Sequence, residues 1–217
     1  MPRPDRSRAA LLEVAAQLFR RQGYAATGVN QILEVAGVRA GSLYHHFPDG
    51  KAELAAAVVD TAGAGIGALL RKLLAGAAPA ADIMDRWVDL MAAGLAADER
   101  DGCPIEPIAT ESVTASPVVR AASARAFADW IGALADRLRA DGWPDEQAEQ
   151  VAGAVVSLIE GALLLSRVAG EPGALHSAKA AARALLDRGR DQGGGRAMPC
   201  PRCGEFVEAL PAEPVQQ

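Results

Sequence analysis

Thr27-Gly28-Val29-Asn30-Gln31-Ile32-Leu33-Glu34-Val35-Ala36-Gly37-Val38-Arg39-Ala40-Gly41-Ser42-Leu43-Tyr44-His45-His46-Phe47 is the stretch whose reading decides the fold. Val29, Ile32, Leu33 and Ala36 recur at three- and four-residue spacing, which predicts a short helix over 28–36 with Thr27 placed to cap its first turn. Gly37 can adopt the left-handed conformation that ends such a helix and turns the chain. Leu43 and Phe47, four apart, then anchor one face of a second short helix over 39–47. Pro48-Asp49-Gly50 stops it, because proline cannot continue the hydrogen-bond ladder. Upstream, Leu11, Leu12, Ala15, Leu18 and Phe19 form another helical stripe that ends at Gly23. Three short helices with a tight turn between the second and third have the layout of a helix-turn-helix.

The third of these helices carries an unusual surface. With Leu43 and Phe47 inward, its remaining positions are Arg39, Ala40, Gly41, Ser42, Tyr44, His45 and His46. Ala40 and Gly41 let the start of the helix come close to a groove, Arg39 can fork to guanine or grip a phosphate, and the hydroxyls and imidazoles suit phosphate or base edges. A metal site at His45-His46 is not expected, since adjacent helical residues diverge by about 100° and no further ligand is suitably spaced.

The same residues, together with Ala15-Ala16-Gln17-Leu18-Phe19 and Gly23-Tyr24, resemble the DNA-binding domain of the TetR family over residues 7–55. That resemblance implies phosphate contacts at Thr27 and Tyr44, groove reading by positions 39 to 42 with 45, and a backbone contact from Lys51 at the start of the fourth helix. Relatives place this lysine three residues after the phenylalanine, whereas here it follows Phe47 by four.

Charge is divided in a compatible way. The chain has 217 residues, 50% hydrophobic and 23% charged, with a net charge of -5. Residues 1–55 hold seven basic and five acidic side chains, a net +2, so the remainder carries -7. A mildly basic head on an acidic body suits a DNA-contacting module joined to a module with another task. Alanine and leucine dominate and no strand-like alternation is sustained, so the chain reads as all-α: a helix-turn-helix domain over 1–50, a larger helical effector-binding and dimerisation domain over 51–188, and a flexible Gly- and Pro-rich tail over 189–217. Further helices are expected over 51–74, 82–97 (Ile83, Trp87, Leu90, Met91 and Leu95 inward), 108–113, from Ser116-Pro117 to 139, 145–169 and 174–188.

The 145–169 helix is apolar most of the way round. Val151, Val155, Val156, Leu158, Ile159, Leu163, Leu164 and Leu165 predict burial both in its own core and against a partner, with Ala178, Ala181, Ala182, Leu185 and Leu186 of the last helix completing a dimer bundle. Gly102-Cys103-Pro104-Ile105, Pro107-Ile108-Ala109-Thr110-Glu111, Phe127, Trp130 and Glu160-Gly161-Ala162-Leu163 resemble the body of the LmrA/YxaF-like subgroup of that family. The resemblance implies a cavity for a small apolar or aromatic effector and control of efflux or detoxification genes. Trp87, Met91, Cys103, Ile105, Ile108, Phe127, Trp130 and Ile159 are the candidate lining residues, with core packing as their alternative role. Glu111 and Glu160 lie in apolar company and could meet a ligand hydroxyl, or serve as structural caps or ion pairs.

Together these features describe a homodimeric repressor that binds a double-stranded operator and leaves it when an effector binds. Three cysteines at 103, 200 and 203 make no disulfide framework, the first residues lead into no apolar signal segment, and the apolar stretch 151–169 is interrupted by Glu160 and Arg167, so a cytoplasmic protein without a membrane span is expected. Cys200-Pro201-Arg202-Cys203 offers half of a tetrahedral zinc site, and a zinc-dependent interaction module is one alternative. An enzyme with an acidic site is the other, although no nucleophile elbow, phosphate loop or His-Glu-Xaa-Xaa-His pattern occurs. No cofactor or metal is expected.

Overall fold

A computed structural model describes residues 6–98, 102–112 and 114–193, with side chains described as far as 187. Among the described residues there are nine helices and no strand: α1 (Arg6–Gln22), α2 (Val29–Ala36), α3 (Ala40–His46), α4 (Lys51–Leu74), α5 (Ala80–Ala97), α6 (Glu106–Ser112), α7 (Pro117–Ala140), α8 (Asp145–Ala169) and α9 (Gly173–Gly193). The protein is all-α with an N-terminal helix-turn-helix.

In the head, Leu11, Ala15 and Phe19 of α1 close over Ile32, Leu43, Phe47 and Leu54, all essentially buried. Gly37 sits at φ +64° and its N–H returns to the Glu34 and Leu33 carbonyls, so the turn between α2 and α3 forms as the sequence predicts. Thr27 does not cap α2. Gly28 takes that position, and Thr27 Oγ1 instead donates to the Gly23 carbonyl at 2.7 Å from a fully buried site. Gly23, at φ +86°, ends α1 and presents its carbonyl to that corner. The extra residue before Lys51 is absorbed at Gly50, which at φ +68° donates its N–H to the Phe47 carbonyl at 2.8 Å.

In the body, α4 packs most extensively on α7, and α8 packs on both α7 and α9. Trp130 Nε1 ties α7 to α4 through a 3.0 Å bond to the Gly63 carbonyl. Arg137 closes the end of α4: its guanidinium donates to the carbonyl of Leu74, one that the helix terminus leaves unsatisfied, and to those of Gly76 (2.9 Å) and Ala78 (2.7 Å) in the loop that follows. Ser116 Oγ accepts from the Val119 N–H at 3.4 Å, the cap expected before Pro117. Between α8 and α9, Gly170 turns at φ +72° and Ser166 Oγ accepts from the Leu175 N–H at 3.2 Å.

Three expectations change. Leu90 is 63% exposed, because the buried stripe of α5 runs through Met84, Val88, Ala92 and Leu95, and two residues from Val88 is about 200° round the helix. Ala178, Ala182 and Leu186 are buried within the chain's own core and are unavailable to a partner, while Ala181 is exposed and Leu185 half-buried. The last helix runs on to Gly193, past the predicted end at 188; Cys200 and Cys203 lie outside the described residues.

α4 and α8 are long and apolar enough to cross a membrane by length and composition, but 44% and 39% of those stretches are buried inside the fold. On α8 the outward apolar residues are ordered. Ala154, Leu158, Gly161, Leu165 and Val168 are all exposed and spaced four, three, four and three apart, with Val168 at 80%.

Candidate functional site

Two places concentrate chemistry. The first is the outer face of α3. Arg39 lies at the N-cap in extended conformation, and Arg39, Ala40, Gly41, Tyr44 and His45 are exposed, Tyr44 to 53%. Among the described residues, nothing lies within 4 Å of where a Gly41 side chain would begin. Ser42 and His46 are half-buried and hold α3 to α1: Ser42 Oγ donates to Ser7 Oγ at 3.0 Å, which lies 3.1 Å from His46 Nε2. These two therefore orient the helix as well as bordering its exposed face. The Arg8 guanidinium lies 5.5 Å above the Phe47 ring, a further pin between α1 and α3.

Lys51 opens α4 with its Nζ 4.2 Å from the centre of the Tyr24 ring. Partial burial lowers its pKa, against the opposing pull of the Glu111 carboxylate, and burial raises that of Tyr24. Thr27, by contrast, is not displayed: it is fully buried with its hydroxyl spent on Gly23, which corrects its expected phosphate contact. The His45 and His46 rings meet edge-on at 4.9 Å, and no cluster of three metal-ligating side chains occurs among the described residues.

The second place is a cavity of about 210 Å³ in the body. Of the eight residues proposed as lining, Trp87, Met91, Cys103, Trp130 and Ile159 form its wall. Ile105, Ile108 and Phe127 do not. Ile105 and Ile108 are wholly buried, with Ile105 reaching toward Gly63 in the contact between helices, and Phe127 backs Trp130 edge-on at 5.2 Å. Met84 was missed, although it precedes Trp87 and Met91 by three and seven residues and so shares their face. Ile66 and Leu70 of α4 and Val156 and Leu163 of α8 complete the wall; knowing which helices face each other is needed to find them.

The two glutamates separate. Glu160 lines the cavity, its Oε2 buried with no protein donor in reach. Burial raises its pKa, against the opposing pull of a hydrogen bond from the Cys103 thiol, and Glu106 adds to the rise. Burial also pushes that thiol well above its usual range, the neighbouring Glu160 charge adding to it, so Cys103 is a weak nucleophile. Glu111 lies elsewhere, at the far end of α6, where its carboxylate accepts the Ala25 N–H at 2.5 Å and fills the space that a Gly23 side chain would need. α6 thus spans from the cavity wall at Cys103-Pro104 to the head.

Known proteins match the chain in two stretches. Residues 11–58 match the family model for bacterial regulatory proteins of the tetR family, and residues 80–181 match that for the C-terminal domain of LmrA/YxaF-like transcriptional regulators. The HTH-type transcriptional regulator YxaF of Bacillus subtilis is 33% identical over 161 residues, which is 74% of this chain and 84% of that protein. LmrA of the same organism, an HTH-type transcriptional regulator, is 32% identical over 164 residues, covering 75% and 87%. Among solved structures, the regulatory protein TetR from Rhodobacter sphaeroides superposes with a TM-score of 0.71 at 25% identity, covering 82% of this chain and 97% of that one.

Proposed function

Because the chain belongs to the TetR family of DNA-binding transcriptional regulators, with an LmrA/YxaF-like body, we propose that it is a homodimeric repressor released from its operator by a small, largely apolar effector. It is a regulator and not an enzyme. The observation that carries the DNA part of this reading is the free face of α3, where Arg39, Tyr44 and His45 stand exposed beside Gly41 and the α3 scaffold is pinned by Ser7. Arg39, Ala40, Gly41, Ser42, Tyr44, His45 and His46 enter or border the major groove, and Lys51 reaches backbone phosphate from the start of α4.

A head this small makes few contacts, so two heads on a two-fold site about 34–36 Å apart supply the affinity. The exposed stripe of α8, with the outward face of α9, is the surface that brings two bodies together. The cavity receives the effector. An occupant that displaces Cys103-Pro104 moves α6, and Glu111 at its other end carries the shift to Ala25 and the head. Effector and operator then compete through their different affinities for two head spacings. An apolar cavity of this kind fits control of efflux or detoxification genes in the cytoplasm.

Gel-shift titration against the DNA upstream of its own gene, at two salt concentrations, tests the reading. Specific binding that weakens with salt is expected, and indifference to every upstream fragment would refute it. Lys51→Ala and Tyr44→Phe should weaken binding to all sequences, Lys51→Ala reducing the salt slope by about one. Arg39→Ala should also change which sequence is preferred, at a cost of about 1–3 kcal/mol. Equal binding by all three variants and the parent would place the DNA face elsewhere.

A further inference from the structure

The cavity wall is apolar and aromatic on most sides, with Met84, Trp87, Met91 and Trp130 prominent. Cys103 and Glu160 are its two titratable lining residues. Burying a carboxylate is costly unless a cation or several donors meet it. Here the Cys103 thiol gives the Glu160 carboxyl one hydrogen bond, and Oε2 is sealed from solvent with no donor from the protein. Arg167, which packs against the lining residue Gly102, is committed to Glu106 at 3.5 Å. The cavity wall thus carries an acidic group and no basic one.

We propose that the cavity takes a small lipophilic monocation, an aryl-alkyl ammonium, whose N–H is donated to the Glu160 carboxyl while its rings lie among Trp87, Trp130 and the methionines. The inference rests on the effector-cavity reading above and adds the chemical class of the occupant. A neutral alcohol of the same shape could supply the hydrogen bond but not the charge, and a hydrocarbon could supply neither. Size limits the rings. Benzene fills an apolar cavity of about 150 Å³, so the 210 Å³ here admits one or two fused rings. Since burial holds the Glu160 carboxyl above the usual carboxylate range, a cationic occupant also relieves the strain of ionising it.

Calorimetric titration of the full chain with 1-naphthylmethylammonium, 1-naphthylmethanol and 1-ethylnaphthalene separates these contributions, as the three differ only in the terminal group. The ammonium should bind about tenfold or more tighter than the alcohol, and the alcohol tighter than the hydrocarbon. Glu160→Gln should weaken the ammonium by about tenfold or more and leave the other two within about threefold. The order found with the unmutated chain decides the matter even if the variant folds poorly. An alcohol or hydrocarbon that binds as tightly as the ammonium, an ammonium indifferent to Glu160→Gln, or failure of all three to bind overturns the proposal. Operator release, followed by gel shift with the same probes, is a separate readout. Ammonium binding that leaves the DNA complex intact would support the cation site while refuting effector-driven release.

Discussion

Leu165→Glu will leave the protomer helical and weaken operator binding severely. Leu165 is 61% exposed within the α8 stripe, between Gly161 and Val168, so its side chain contributes little to its own core. The four-three spacing of that stripe is the pattern by which helices pack side by side. A glutamate there places a like charge on each of the two surfaces that meet in the proposed dimer, and burying an unpaired carboxylate costs several kcal/mol. The expected mass by light scattering is therefore that of one 22.4 kDa chain. Operator affinity should fall about a hundredfold or more, since one head keeps only its own contacts. Circular dichroism should retain its helical signal. Leu90→Glu is the control: Leu90 is equally exposed, at 63%, but lies on α5 away from the stripe, and its substitution should leave both the dimer and DNA binding intact. A dimeric, DNA-binding Leu165→Glu protein would move the interface off α8.

Much of the architecture can be read from local chemistry. The bounds of α4 and α8 follow from the sequence because Pro48-Asp49-Gly50, Pro144 and Gly170 act within a few residues of the helices they limit. The Gly37 turn and the Ser116-Pro117 cap are legible for the same reason. What the sequence leaves open depends on which helix faces which. Thr27 has the right type and place for a cap, yet its hydroxyl answers to Gly23, whose carbonyl orientation is set by the turn. Ile105 and Ile108 have the apolar character of lining residues but are spent in the core, Ile105 toward Gly63 of α4, whereas Met84 turns toward the cavity. Glu111 joins residues 86 positions apart, and no local pattern announces that.

Gly63 marks another long-range contact, and Gly63→Val should destabilise the fold by about 2–3 kcal/mol. A Cβ at this position would lie 2.6 Å from Ala126 Cβ and 3.5 Å from Ala126 Cα, atoms fixed in the middle of α7 that cannot move without moving that helix. Separating α4 from α7 also stretches the bond from Trp130 Nε1 to the Gly63 carbonyl, and Trp130 stands in the cavity wall. For a chain of this size the loss corresponds to a Tm lowered by roughly 4–12 °C, read at fixed protein concentration. Gly67 supplies the contrast. Its added Cβ would meet the Asp129 carboxylate, the end of a side chain that can swing away from its exposed pairing with Arg71. Gly67→Ala should accordingly stay within about 0.5 kcal/mol of the parent, since an exposed ion pair is worth little and alanine favours the helix. A cycle combining Gly63→Ala with Ala126→Gly isolates the contact. If the helices approach as described, removing the opposing Cβ recovers about 1 kcal/mol or more beyond additivity. Additive effects at the two sites would mean that α4 and α7 are not held this close.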